Sequence, residues 1–149
     1  MFEQILIPTD GSKPAEHAVE QGVALAAEHG ATVHAMSIVE PIPLGGFTSG
    51  PEPSSAEHGK VVEEQRIEAQ KAIDTVVEYC ERHDVPVVEA LTYGTPSDEI
   101  IEFAEDEGMD AIVMGTHGRS GAQRLIIGSV AEKVVRRSPV PVLTVRPST

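Results

Sequence analysis

Aromatic residues are scarce in this chain. Trp is absent, and two Tyr and three Phe are the whole supply among 149 residues. A core made from such a sequence has to be aliphatic. Cysteine is almost missing as well. Cys80 stands alone, which excludes an internal disulfide and a cysteine-based metal cluster. It falls on the apolar side of a helical pattern and reads as a core thiol of a cytoplasmic protein. No apolar run reaches the roughly 18 residues needed to span a bilayer. Met1-Phe2-Glu3 runs straight into a strand-like segment with no basic stretch ahead of it, so no signal peptide is expected. Basic residues are few: 11 Lys and Arg stand against 24 Asp and Glu, a formal net charge of -13. That balance argues against a nucleic-acid or membrane-surface binder. The hydrophobic fraction of 40% suits one globular domain covering 1–149.

The few basic residues are unevenly placed. Up to Met114 there are five (Lys13, Lys60, Arg66, Lys71, Arg82) against 23 acidic residues, or -18. From Gly115 on there are six (Arg119, Arg124, Lys133, Arg136, Arg137, Arg146) against Glu132 alone, or +5. The sign changes where an apolar run, Ala111-Ile112-Val113-Met114, meets a glycine-rich loop. Gly115, Gly118 and Gly121 follow, and Gly128-Ser129-Val130 then opens a helical pattern. A strand, a glycine loop and a helix start together form the arrangement that cradles phosphate, through unpaired N–H groups and the positive end of the helix dipole. A tight strand-to-helix turn is the plainer account of the glycines; for the charges it is that basic residues suit the last turn of a helix, which covers Lys133, Arg136 and Arg137 but not Arg119 or Arg124. The reading is a site for a nucleotide polyphosphate.

The remainder of the chain alternates. Phe2 to Ile7 reads as a first strand, closed by Pro8 and the turn residues Thr9-Asp10-Gly11-Ser12. Ser12 as cap and Pro14 in the first turn start a helix whose inner face is Ala15, Ala18, Val19, Gly22, Val23 and Ala26. Gly30 stops it. Thr32 to Val39 is the second strand. A loop rich in Pro, Gly and Ser, about 40–55, is expected to be flexible, as a lid or a disordered connection. Ser54 with Glu57 fits a capping box for a long helix with Val62, Ala69, Ile73, Val76 and Cys80 inside. Val85 to Leu91 is the third strand. Thr95-Pro96-Ser97-Asp98 starts a third helix, with Ile100, Ile101, Phe103 and Ala104 inward and Gly108 at its end. Ala111 to Met114 is the fourth strand; Val130, Val134 and Val135 line the fourth helix; Val140 to Arg146 is the fifth strand. The order is β-α-β-α-β-α-β-α-β, an α/β doubly wound open sheet of five parallel strands with four helices, Rossmann-like in type. Such sheets bind ligands beyond the carboxyl ends of their strands, where the winding reverses.

Ile7-Pro8-Thr9-Asp10-Gly11-Ser12 resembles the opening of a universal stress protein. The late motif resembles the ATP-binding form of that family, G-x2-G-x9-G-S/T, filled by Gly115, Gly118, Gly128 and Ser129 without insertion. The ending Ser138-Pro139-Val140-Pro141-Val142-Leu143-Thr144-Val145 is similar too. The resemblance implies a strand order of 3-2-1-4-5, with the first and fourth strands adjacent. It implies ATP, with Mg2+ or Mn2+, lying across the crevice between them. Pro8, Thr9 and Asp10 would then flank adenine and ribose, and Ser37 and Ile38 would touch the adenine. Gly115, Gly118, Arg119, Gly128, Ser129 and Val130 would hold ribose and phosphates, with Met114, His117 and Gly121 completing the lining. It also implies a homodimer formed through the last strand, Val140 to Arg146.

Residue chemistry weighs on these roles. Asp10 suits a ribose hydroxyl or a metal contact; its alternative is a turn residue bonding its own backbone. Arg119 suits a phosphate or a solvated loop. His117 has no neighbouring carboxylate in sequence to orient it, so no catalytic residue is assigned. The other histidines lack metal spacing. The leading expectation is a cytoplasmic ATP-binding regulator of stress adaptation. Its alternatives are a slow metal-dependent ATP hydrolase and a nucleotide-free interaction module. Hydrolysis needs a group that positions water, and no residue clearly supplies one.

Overall fold

Alternation along the first strand determines how the layers form. Ile5 and Ile7 point to one side and Leu6 to the other, and all three are fully buried. A strand apolar on both faces must be covered on both faces. The computed structural model describes residues 2–41, 55–117 and 127–147. Its strands are β1 (Gln4–Pro8), β2 (Thr32–Val39), β3 (Val87–Tyr93), β4 (Ala111–Gly115) and β5 (Val142–Val145). Its helices are α1 (Lys13–His29), α2 (Ser55–Arg82), α3 (Pro96–Asp106) and α4 (Ser129–Arg137). All strand pairs are parallel, in the order β3-β2-β1-β4-β5. This is the doubly wound sheet and the order expected.

One core lies under α1 and α2, where Val19, Val23, Ile73, Val76 and Cys80 meet Ile5, Ile7 and Val113. The other lies under α3 and α4, where Ile100, Ala104, Ala131 and Val134 meet Leu6, Ile112 and Met114. The six inward positions of α1 are those its spacing indicated. A Cβ at Gly22 would stand 2.6 Å from Ile7 Cδ1, so a larger residue there would force the Ile7 side chain to shift. Cys80 is fully buried, and burial pushes its thiol pKa up to about 11.

Several local expectations need correction. The third strand starts at Val87, not Val85. Asp84 adopts a positive φ of 56°, and Val85 N–H bonds back to the Cys80 carbonyl, so Val85 closes α2 instead of opening β3. Pro86 has no N–H to give; only its carbonyl enters the ladder, accepting from Val33 N–H at 2.9 Å. The strand then runs on to Tyr93. The fifth strand is shorter than Val140 to Arg146, at Val142–Val145. Val135 is half exposed, because Ala131 and Val134 are the residues of α4 turned to the core. Ser12 and Thr95 occupy N-cap positions without a capping side-chain bond. Asp98, the acid three places after the expected Thr95 cap, accepts from Arg137 Nη1 at 3.0 Å and ties α3 to α4. Ser54, the cap of the expected Ser54–Glu57 capping box, and most of the 40–55 loop lie outside the described residues. No helix among the described residues is long and apolar enough to cross a membrane.

Asp110 pins the other end of the sheet. Its Oδ2 accepts from the amides of Glu3 and Gln4, at 2.9 and 2.8 Å, which holds its carboxyl below the usual aspartate range. The start of β1 is thereby fixed beside the start of β4.

Candidate functional site

β1 and β4 are neighbours, with Ile5 opposite Ala111 and Leu6 opposite Ile112. The chain leaves them for opposite faces, to α1 and to α4. Their carboxyl ends therefore diverge and leave a crevice. At the β1 end, Thr9 N–H still reaches the Met36 carbonyl of β2 at 2.9 Å. The turn that follows is built from side chains. Thr9 Oγ1 accepts from Gly11 N–H at 3.1 Å, and Asp10 Oδ1 accepts from Ser12 N–H at 2.9 Å. Asp10 thus performs the backbone-bonding role named as its alternative, and the residue also lines the crevice. Gly11 carries a φ of +77°, and a Cβ there would sit 3.1 Å from Ala72 Cβ. Only glycine meets both conditions easily, so the turn packs directly on α2.

The β4 end is held by Thr116, which the sequence reading passed over. Its N–H donates to the Val145 carbonyl at 3.0 Å, and its carbonyl accepts from Gly128 N–H at 2.7 Å. Its Oγ1 lies 2.8 Å from His117 Nδ1, and both residues are buried. Gly128 is the N-cap of α4 in an extended conformation, with no side-chain cap. The first intrahelical bond runs from Glu132 N–H to the Gly128 carbonyl at 2.9 Å. The amides of Ser129, Val130 and Ala131 precede that bond and form the positive end of the helix. Gly115 is packed against the start of α1, where a Cβ would lie 3.4 Å from Pro14 O and Ala15 Cα.

These ends enclose one cleft of about 840 Å3. Pro8, Thr9 and Asp10 line it from β1, Ser37 and Ile38 from β2, and Met114, Gly115 and His117 from β4. Gly128, Ser129 and Val130 line it from α4. Residues scattered from 8 to 130 are thus brought to one place. Gly118, Arg119 and Gly121, also expected here, lie outside the described residues. Sequence reading missed the wall that α2 supplies through Val61, Glu64, Gln65 and Glu68. Their one-face spacing was the available signal, but attention to the apolar stripe of α2 hid it. Asp10, Glu40, Glu64 and Glu68 put four carboxylates on the lining, and no Lys or Arg joins them among the described residues. Nor do the described residues include a group of three or more His, Cys, Asp or Glu set to hold a metal.

Comparison with known proteins bears on this architecture. The model of the universal stress protein family matches residues 1–146. Universal stress protein MJ0531 of Methanocaldococcus jannaschii is 35% identical over 146 residues, covering 98% of this chain and 83% of that one. Universal stress protein MJ0577 of the same organism is 31% identical over 159 residues, covering 98% and 96%. Its solved structure superimposes with a TM-score of 0.80 over 100% of this chain and 99% of that one, at 27% identity over the structural match. Universal stress protein UspA from Lactobacillus plantarum gives 0.79 over 97% and 98%, at 25% identity. The chain belongs to the universal stress protein family.

Proposed function

We propose that this chain is an adenine-nucleotide-binding regulator that takes up ATP with Mg2+ or Mn2+ and acts in stress adaptation as a cytoplasmic homodimer. The observation that carries the reading is the N-terminus of α4, which has no side-chain cap among the described residues and whose first-turn residues line a cleft of about 840 Å3. Anions favour such a terminus, and pockets for small ligands and cofactors commonly measure about 300–1,000 Å3. A more distant relative has been solved in complex with cAMP and another, from Archaeoglobus fulgidus, with dAMP. At 23% identity each, they support the fold, and the nucleotide class rests on the cleft itself. The four carboxylates give the metal its purpose, because a triphosphate beside them needs counter-charge. The ligand would act by favouring one arrangement of the dimer or of the loops around the cleft.

The test is calorimetric titration of the purified protein with ATP, with and without Mg2+, alongside mass spectrometry of any small molecule carried through purification. Saturable ATP binding that weakens when a chelator removes the metal is the expected result. Absence of binding at millimolar ATP, from protein shown to be free of carried ligand, would sink the reading.

A further inference from the structure

β3 closes the sheet on the side away from β5. Val33 N–H donates to the Pro86 carbonyl at 2.9 Å, and Gly94 N–H donates to the Val39 carbonyl at 3.0 Å. With the parallel register unbroken between them, Val88, Ala90 and Thr92 turn their backbone groups towards β2. Val87, Glu89, Leu91 and Tyr93 turn theirs outwards, and no described strand meets them. Such a row is a template for one more strand.

Carboxylates run alongside this edge. Glu99 of α3 rests against the end of β3, where a Cβ at Gly94 would stand 3.0 Å from its side chain. One turn further along α3, Phe103 meets the His34 ring edge-on at 5.8 Å between centroids, and His34 stands opposite Val88 near the start of β3. α3 therefore follows β3 in the reverse direction. A groove of about 140 Å3 has Met36 and Thr92 on its sheet side and Glu99, Glu102, Asp106 and Glu107 on the other. No Lys or Arg joins that lining among the described residues, and none of the four acids enters an ion pair there. Val88, on the same face as Thr92 by alternation, is 47% exposed.

We infer that the β3 edge takes up an extended segment of a partner protein, as an added strand with Lys or Arg at alternate positions. Main-chain bonds to the outward groups of β3 hold the segment, and its side chains supply the selection. Alternate residues of a strand share one face, so basic residues two apart all reach towards the α3 side. Residues i and i+4 of a strand lie about 13 Å apart, and Glu99 to Asp106 covers about 10 Å of helix axis. Three alternate basic side chains therefore match the acid row. A second copy pairing through its own β3 would set one acid row beside another, and like charges oppose that. The occupant is a different, basic chain, and its binding is independent of the nucleotide cleft.

The test is fluorescence anisotropy of a short labelled peptide in which Lys alternates with Thr and Val, at about 50 mM salt, where surface charge is only partly screened. Saturable binding is expected. Glu102→Gln combined with Asp106→Gln should weaken it by about 3- to 10-fold, the worth of two surface ion pairs. Both residues are exposed, and circular dichroism confirms that the double variant is folded. Methylating the N–H of every second peptide residue gives two further peptides, one for each alternate set. A strand bonds its neighbour through one set only, so one peptide should keep its affinity and the other lose it. Two methylated peptides that bind alike show that charge alone holds them, and overturn the added strand. A double variant that binds as the wild type does overturns the role of the acid row, and absence of binding to the wild type overturns the whole inference.

Discussion

Gly128 donates its amide to the Thr116 carbonyl at 2.7 Å, and a Cβ at Gly128 would stand 3.1 Å from that same oxygen. The bond docks the start of α4 onto the exit of β4. It also brings the first-turn amides of the helix to the cleft. A side chain at Gly128 pushes against backbone, which has no rotamer to escape into.

Gly128→Ala should therefore cost about 1–3 kcal/mol of stability, the usual range for overpacking, and weaken ATP binding at the same time. Gly115→Ala is the comparison, because its Cβ would meet neighbours at 3.4 Å, an ordinary contact. That variant should melt close to wild type. Thermal melts and ATP titrations of the two proteins check the contrast. Equal melting temperatures would mean that the close approach at Gly128 is not what fixes α4.

Leu143 lies on β5, one edge of the sheet, and is 47% exposed. An apolar edge strand invites pairing with another chain, and a homodimer through this strand would cover it. Leu143→Asp should yield a folded monomer, read by light scattering after size exclusion. The opposite edge offers a control in Val88 of β3, which is also 47% exposed. Val88→Asp should leave the dimer intact. A dimer that survives the Leu143 change and dissociates with the Val88 change would move the interface to the other edge.

Much of this fold is legible in the sequence because its signals are local. The inner face of α1, from Ala15 to Ala26, follows from spacing alone, and Gly30 stops the helix with a φ of 64° as a terminal glycine should. The third strand is harder, because Val85 has strand chemistry but is captured by the turn at Asp84, and that turn depends on where α2 ends. Capping was over-read for a related reason. Ser12 and Thr95 sit at helix starts, yet their side chains make no capping bond there. At the cleft, residues on the two glycine-bearing turns were legible, since turn chemistry is written in residue type. Thr116 and the α2 wall were not. Thr116 works mainly through its backbone, and Gln65 borders the cleft only because α2 packs over β2, a long-range contact that no short motif encodes.

His34 links the core to pH. Its Nε2 lies 2.6 Å from Gln4 Oε1, and its ring meets Phe103 edge-on at 5.8 Å between centroids. Burial lowers its pKa from the ordinary 6.5, against a smaller upward pull from Glu107. The folded ring is therefore harder to protonate than the same ring in the unfolded chain. As pH falls, the unfolded state takes up the proton first. The stabilising contribution is complete above about 6.5 and is lost as pH drops through that value towards the folded pKa. Melting temperature should fall between roughly pH 7.5 and 5.5 in wild type, and His34→Gln should flatten that part of the profile while keeping a partner for Gln4. An NMR titration of the imidazole gives the direct check. A ring that titrates at or above 6.5 in the folded protein would show that burial does not hold it neutral.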